Sequence, residues 1–411
     1  SSTTYAGLPR DKNLEQVRSA PWLRDAGSLD SQLPTLHHQA AAIVRERPLN
    51  LVIVLQESLG ATFVESLGGL PVTPELEKLK NEGWWFEQLY ATGTRSVRGI
   101  EAVMAGYAPT PARSVVKLSL AQQNFYTLAE GLGRAGYHTE FVYGGEAHFD
   151  NMRSFFTGNG VRKVVDIGEM RPNFVGSWGA SDEDLFDKSL ERLHGLHAAG
   201  KPFFSLIFTS SNHEPFEFPD GKIALHEQPK QTVNNAVKYA DHALGKFIRA
   251  AKQQDYWKDT VFLIVADHDN RVYGNALVPV KKFHIPGLIL GADIEPKRIR
   301  TIASQIDLAP TLLSLLGVSS THPMIGRDFA RDSESPGRAL IQFNNLFAYL
   351  EGSAATILRP GQPALLGRYD AASGTLDPYA GEPARAQVEQ AMAHVMLPSL
   401  LYREQRYRLP P

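Results

Sequence analysis

The chain has 411 residues, 43% of them hydrophobic, with 42 Lys and Arg against 44 Asp and Glu for a net charge of −2. That is enough apolar material for a large core, and the near-balance leaves no basic field for a nucleic-acid partner. Cysteine is absent, which excludes disulfides, thiolate catalysis and cysteine-ligated zinc, and suits an oxidising compartment as well as a reducing one.

No apolar run approaches the ~20 residues that span a bilayer. The chain opens Ser1-Ser-Thr-Thr-Tyr5 with neither Met nor a signal-peptide pattern, so it is expected to be a piece of a longer protein. Residues 1–48, rich in charge and proline with a helical patch expected at 37–47, read as an N-terminal arm. Strands are expected at 50–55, 84–90, 138–143, 163–166, 203–209, 260–266 and 285–290. Helices are expected between them at 74–82, 97–106, 125–135, 182–198, 233–253 and 304–316. Strands separated by helices of this length predict βαβ units, hence an α/β fold with a mostly parallel central sheet flanked by helices. The catalytic unit is expected over 49–330. After Arg327 the pattern changes to short runs at 339–343, 355–358 and 364–369, broken by Gly, Pro and Asp turns, and then a helix at 383–400. Residues 331–411 are therefore expected as a small antiparallel lobe with a closing helix.

The chemistry-bearing residues fall where the expected strands end. Glu57 follows the run Leu51–Leu55, and Asp267 and His268 follow Val261–Ala266. Residues just past the carboxyl ends of strands line the ligand crevice of an open α/β sheet, and two carboxylates with an imidazole suit Mn²⁺, Zn²⁺ or Mg²⁺. A turn or cap role competes for Glu57, whereas a charge directly after so apolar a strand as 261–266 needs a partner. The segment Gly93-Thr-Arg-Ser-Val-Arg-Gly99 adds two hydroxyls between guanidinium groups, a pattern suited to attack on a phosphate or sulfate ester. Ser96 is the expected nucleophile and Thr94 the alternative. Ser96 would also cap the following helix, whose N-terminus favours an anion. Arg98 is a candidate phosphate binder, with a surface ion pair as the competing role. His213, in the strand-end loop Thr209-Ser-Ser-Asn-His213, is a candidate to protonate a leaving alkoxide or to hold the phosphate. His284 is a further binding candidate, while His37, His38, His194 and His197 are expected on solvated helical faces. Asp150 and Asn151, in the loop Tyr143-Gly-Gly-Glu-Ala-His-Phe-Asp-Asn-Met152, are candidates for a substrate's polar head, with capping of the next helix as the alternative.

Taken in order, Val54-Leu-Gln-Glu-Ser58, Gly93-Thr-Arg-Ser96, Tyr143-Gly-Gly145 with Phe149-Asp-Asn-Met152, Ser211-Asn-His213, Ala266-Asp-His268, and Ile306-Asp-Leu-Ala-Pro-Thr311 with Ile325-Gly-Arg-Asp328 resemble the alkaline phosphatase superfamily. Within it they are similar to the branch of lipoteichoic acid synthases and phosphoglycerol or phosphoethanolamine transferases. The resemblance covers roughly residues 50 to 330. It implies one divalent cation held by Glu57, Ser96, Asp267 and His268, with Ser96 as nucleophile and His213 on the substrate phosphate. Thr is usual at the nucleophile position in this branch, so Ser96 is a departure. Sulfatases of the superfamily carry Cys/Ser-x-Pro/Ala-x-Arg there, whereas Ser96 is followed by Val97-Arg-Gly-Ile100, which disfavours sulfatase activity. The resemblance further implies a glycerophospholipid donor, a glycan or polyglycerolphosphate acceptor, and an extracytoplasmic domain attached to an N-terminal membrane domain. Three alternatives are a phosphoethanolamine transferase, a phosphodiesterase or phosphatase using water, and a non-enzymatic envelope or glycan-binding domain that keeps the fold.

Overall fold

The computed structural model describes residues 8–24, 26, 29–270, 272 and 277–411, so the first seven residues of the expected arm lie outside the described residues. Eight strands build the main sheet: β1 (Asn50–Gln56), β2 (Trp84–Phe86), β3 (His138–Tyr143), β4 (Lys163–Val165), β5 (Phe203–Phe208), β6 (Thr260–Ala266), β7 (Gly287–Gly291) and β8 (Lys297–Ile299). Their order is β8-β2-β7-β6-β1-β5-β3-β4. Pairing is parallel from β6 through β4, and β7 alone runs against its neighbours. Every residue of β1, β5 and β6 is buried. That is the condition of a parallel strand covered by helices on both faces, and it explains why these runs are uninterruptedly apolar and do not alternate.

The fold class matches the expectation, and β3 and β6 have the expected limits. Two expected strands divide. Residues 84–90 split into β2 and Leu89–Tyr90, and 285–290 split around Pro286 into His284–Ile285 and β7. Leu89–Tyr90, His284–Ile285 and Ala303–Ser304 form a separate three-stranded sheet. Proline has no N–H to donate to a ladder, so a strand reading straight through Pro286 is interrupted there.

The N-terminal segment differs from its reading. Residues 37–47 form no helix: His37–Gln39 is a strand paired antiparallel with Ser320–His322, and His37 is buried beside His322 where a solvated histidine was expected. The helix Arg10–Arg18 packs on the C-terminal helix Arg385–Arg403, with Arg10 on Glu404 at 2.7 Å and Lys12 on Glu389 at 2.9 Å. Trp22 lies under the guanidinium groups of Arg327 (5.4 Å) and Arg338 (5.0 Å) and donates its indole N–H to the Ile325 carbonyl. Arg10, Lys12, Trp22 and His37–Gln39 thus all meet partners from the C-terminal quarter of the chain.

The C-terminal region is a five-stranded antiparallel meander from Ala339 to Gly381 followed by the helix Arg385–Arg403. Two of its strands, Leu346–Glu351 and Thr375–Gly381, have no counterpart in the expected set. The meander shares one continuous apolar core with the main sheet. The join is polar. Asp307 is fully buried and accepts both Arg338 contacts (2.9 and 3.1 Å), the Arg327 backbone N–H (2.7 Å) and the Ser304 backbone N–H (2.8 Å). Removing one member of a buried ion pair leaves the other charge uncompensated. The Asp307→Ala substitution is expected to lower stability by about 3–5 kcal/mol, measured as the urea-unfolding free energy, whereas an exposed change such as Val44→Ala stays within about 0.5 kcal/mol.

Candidate active site

The site is set by register. In the parallel pair β6 and β1, Ala266 lies opposite Gln56, so the next residues, Asp267 and Glu57, leave neighbouring strands at the same level. Both are buried, Asp267 completely. Asp267 Oδ1 accepts the backbone N–H groups of Ser58 (2.8 Å) and His268 (2.7 Å), while Asp267 Oδ2 has no hydrogen-bond partner and lies 3.5 Å from His268 Nε2. Burial, and then the negative charges of Asp267 and Asp182, push the Glu57 carboxyl well above the usual carboxylate range. Ser58, which makes the turn after Glu57, has φ of 56°, a left-handed conformation uncommon in a non-glycine residue.

The neighbouring strand end supports this pair. Thr209, just past β5, accepts the Glu57 backbone N–H at 3.0 Å, and the Asn212 amide donates to the Glu57 carbonyl at 3.0 Å. His213 follows. Its Nδ1 lies 3.1 Å from the Glu214 carbonyl, which can only accept, so Nδ1 carries the proton and Nε2 faces Glu57 Oε1 at 3.7 Å with its lone pair free. Burial lowers the imidazole's affinity for a second proton.

Ser96 is the first residue of the helix Ser96–Ala105, and Arg95 occupies the cap position without a side-chain cap bond. The expected capping role for Ser96 is therefore absent, and the helix begins one residue earlier than expected. Glycine at position 99 is required by contact: a Cβ there would stand 2.7 Å from Asp267 Cα and Cβ and from its carbonyl oxygen. Positions i and i+3 share a helix face, so this approach turns the Ser96 side of the helix toward Asp267. Gln305 ties the same parts together from beneath. Its amide nitrogen donates to the carbonyls of Ala266 and Asp267, both at 2.9 Å, and its oxygen accepts the Thr92 N–H at 3.1 Å.

Four expected binding residues have the following partners. Arg98 is buried, with its guanidinium on Glu101 Oε1 at 3.1 Å, on the Thr110 carbonyl at 2.6 Å and on the Ala112 carbonyl, so these donors hold the 110–112 loop. His284 donates from Nε2 to the Glu87 carbonyl at 2.7 Å and stacks on Tyr90 at 5.4 Å, in the small sheet. Asn151 is the cap residue of the helix Met152–Gly158 with φ of 63°, and makes no side-chain cap bond. Asp150 pairs with Lys117 at 3.0 Å. It still contributes to the field at Tyr143, whose hydroxyl is held protonated by burial first and then by Glu57, Asp150 and Asp267.

Sequence reading missed Trp178, Asp182, Asp269 and Gln305. Trp178 sits in the hairpin formed by Val175–Gly176 and Gly179–Ala180. Its ring centroid is 3.7 Å from that of His213, it donates to the Glu214 carbonyl at 2.8 Å, and Phe149 packs edge-on to it at 5.3 Å. A tryptophan between two glycines reads as a turn, and nothing local announces its partner 35 residues on. Asp182 Oδ1 accepts the backbone N–H groups of Ser211 (3.1 Å) and Ser210 (3.4 Å), fixing the His213 loop to the helix Asp182–Ala199. Asp269 accepts from Thr62 at 2.7 Å under Gly60, where any Cβ would collide with its carboxylate.

A sulfatase family profile matches residues 49–318. The chain belongs to the sulfatase family of the alkaline phosphatase superfamily. A crystal structure described as a protein of that superfamily from Vibrio parahaemolyticus is 48% identical and covers 99% of each chain with a TM-score of 0.94. The lipoteichoic acid synthase LtaP from Listeria monocytogenes shares the fold, with a TM-score of 0.76 over 97% of this chain and 98% of that one at 21% identity. Phosphoglycerol transferase I from Xanthomonas campestris pv. campestris is 26% identical over 361 residues, 80% of this chain and 50% of the relative. The lipoteichoic acid synthase-like protein YvgJ from Bacillus subtilis is 24% identical over 317 residues, 70% of this chain and 50% of the relative. The chain thus spans about half the length of these curated relatives.

Members of this superfamily generally use a divalent metal ion, and the residues here fit one. Two buried carboxylates at adjacent strand ends present hard oxygen donors, and Asp267 Oδ2 is buried without a partner, as few native polar atoms are. Among the described residues no three His, Asp or Glu side chains stand as a ready-made cluster around one point, so Glu57, Asp267 and His268 would need Ser96 or substrate oxygens to complete the donor set. Two outcomes follow. Gly99→Ala is expected to lower activity at least about tenfold by driving the Ser96 helix off Asp267, with a melting temperature within about 5 °C of the parent, checked by phosphodiester turnover and thermal unfolding. Asp267→Asn is expected to abolish Mn²⁺ binding measured by calorimetric titration.

Proposed function

We propose that the chain is the catalytic domain of a metal-dependent phosphotransferase that moves phosphoglycerol from a glycerophospholipid to an extracytoplasmic glycan or polyglycerolphosphate acceptor through a phosphorylated Ser96. One observation carries this reading: the helix that begins with Ser96 is pressed through Gly99 onto Asp267, whose buried Oδ2 has no partner. The resemblance to phosphoglycerol transferase and lipoteichoic acid synthase-like relatives supports phosphoglycerol as the group transferred.

The cation, when bound by Glu57, Asp267, His268 and Ser96, would lower the pKa of the hydroxyl and offset charge on the phosphoryl oxygens. In the first half-reaction Ser96 Oγ forms a bond to phosphorus, the phosphorus–oxygen bond to diacylglycerol breaks, and the proton given up by Ser96 ends on the diacylglycerol oxygen. In the second, the acceptor hydroxyl forms the new phosphorus–oxygen bond, Ser96 leaves, and the acceptor's proton returns to Ser96. A phosphoryl group on Ser96 would sit at the N-terminus of the helix Ser96–Ala105, where the unpaired first-turn N–H groups favour negative charge. His213 offers Nε2 beside Glu57 as the atom through which these protons pass, with Nδ1 fixed on the Glu214 carbonyl.

Among the described residues no helix is long and apolar enough to cross a membrane. The proposal places the membrane attachment in the part of the longer relatives that this chain does not span, with the present domain outside the cytoplasmic membrane. Ser96→Ala is expected to remove the covalent adduct and reduce head-group release by at least about a thousandfold, while Thr94→Ala keeps both. Intact mass spectrometry after exposure to phosphatidylglycerol and, in parallel, phosphatidylethanolamine reads the adduct, and its added mass identifies the head group. An adduct on Thr94→Ala protein but none on Ser96→Ala is the supporting pattern; the reverse moves the nucleophile to Thr94.

A further inference from the structure

A neutral histidine can ligate a cation only through the ring nitrogen that carries no proton, so the group that fixes its tautomer decides which face is the ligand. For His268 that group is the next residue. Its Nδ1 lies 2.6 Å from the Asp269 backbone carbonyl. A carbonyl can only accept, so Nδ1 carries the proton and Nε2 presents its lone pair. Nε2 stands 3.5 Å from Asp267 Oδ2, which is buried and has no hydrogen-bond partner. Two acceptors therefore face one another without a proton to share. Buried acceptors left in that state cost free energy, and a cation common to both would satisfy them.

The direction of the Asp269 carbonyl is set by its own side chain. Asp269 is buried, and both carboxylate oxygens are engaged. Oδ1 accepts the Asn270 backbone N–H at 2.7 Å, which closes the turn just past the carbonyl, and Oδ2 accepts the Thr62 hydroxyl at 2.7 Å. The Lys282 ammonium lies 3.7 Å from Oδ2 and 3.4 Å from the Thr62 hydroxyl, giving the buried charge a counterion. Gly60 completes the socket, since a Cβ there would stand 1.9 Å from the carboxylate carbon. Three stretches of chain thus close on one carboxylate, although an apolar side chain of similar volume would fill a buried space at lower cost. Resting on the reading of His268 as a cation ligand, we propose that Asp269 is a positioning residue: its carboxylate, held by Thr62, Lys282 and the Asn270 N–H, aims its backbone carbonyl at His268 Nδ1 and so keeps the Nε2 lone pair directed to the cation. Removing a group that orients a ligating histidine from behind lowers metal affinity by about 10–100-fold.

The test is calorimetric titration of Mn²⁺ into the metal-free 411-residue chain and its variants. Asp269→Ala is expected to bind Mn²⁺ about tenfold or more weakly. Thr62→Val removes only the hydroxyl and should weaken binding in the same direction by a smaller factor, and it decides the matter alone if Asp269→Ala does not fold. Asp269→Asn keeps an oxygen for the Asn270 N–H and should recover part of the loss. Nitrogen NMR of histidine-labelled, metal-free protein reads the tautomer directly, with the His268 signal assigned by its disappearance in His268→Ala. The Nδ1–H form is expected in the parent and a mixture of the two forms in Asp269→Ala, a change that a merely structural role would not produce. Parent-like Mn²⁺ affinity in the Asp269 and Thr62 variants, or an unchanged tautomer in Asp269→Ala, overturns the proposal. His268→Ala separates the two levels of the argument. If it weakens Mn²⁺ binding while the Asp269 and Thr62 variants do not, the positioning role alone is rejected; if it leaves binding unchanged, His268 is no ligand and the proposal falls with that reading.

Discussion

Two carboxylates buried side by side at the ends of adjacent parallel strands are the constraint around which this molecule is organised. Like charges out of water repel, and each costs free energy unless something compensates it. Asp267 is compensated on one oxygen by two backbone N–H groups, and Glu57 is held through its backbone by Thr209 and Asn212. What remains is one bare oxygen on Asp267 and a carboxyl whose charge is disfavoured. The positive φ of Ser58, the glycine at 99 and the Gln305 clamp all serve to keep those two groups together where a fold optimised for stability alone would separate them.

Much of this was legible in the chain because the governing periodicity is local. A parallel strand buried on both faces must be continuously apolar, so Leu51–Leu55 and Val261–Ala266 declare themselves, and the first charged residue after each marks a strand end. Ser96, His213, Glu57, Asp267 and His268 are the candidates that this pattern, together with the ordered motifs that resemble the superfamily, singles out. Side-chain commitments were not legible. Arg98 reads as a phosphate binder because guanidinium suits phosphate, yet its donors close on Glu101 and two carbonyls of a loop that only tertiary structure brings near. His284 is similar, with its acceptor across a two-residue strand pairing. Trp178 is the converse: its role depends on a loop 35 residues on, and a propensity reading sees only a turn.

The N-terminal segment shows why polar composition is a weak guide to exposure. Its charge and proline suggest an arm leading into the first strand, but Arg10 and Lys12 meet acids of the last helix and Trp22 is covered by two buried arginines. Long side chains with apolar stems can line an interface while their charged ends find partners. The helix Arg10–Arg18 thereby joins the first described part of the chain to the C-terminal helix.

Arg338 reaches from the start of the meander into the Asp307 pocket, and Asp307 in turn caps the short helix that carries Gln305 beneath the strand ends. The C-terminal part is consequently tied by a buried ion pair to the residues beneath the strand ends. A lineage that swapped it would have to bring an arginine to the same depth, or replace Asp307 in the same generation. The two halves are expected to be inherited as one block, with sequence variation concentrated at the outer edge of the meander, where the last strand alternates between solvent and sheet.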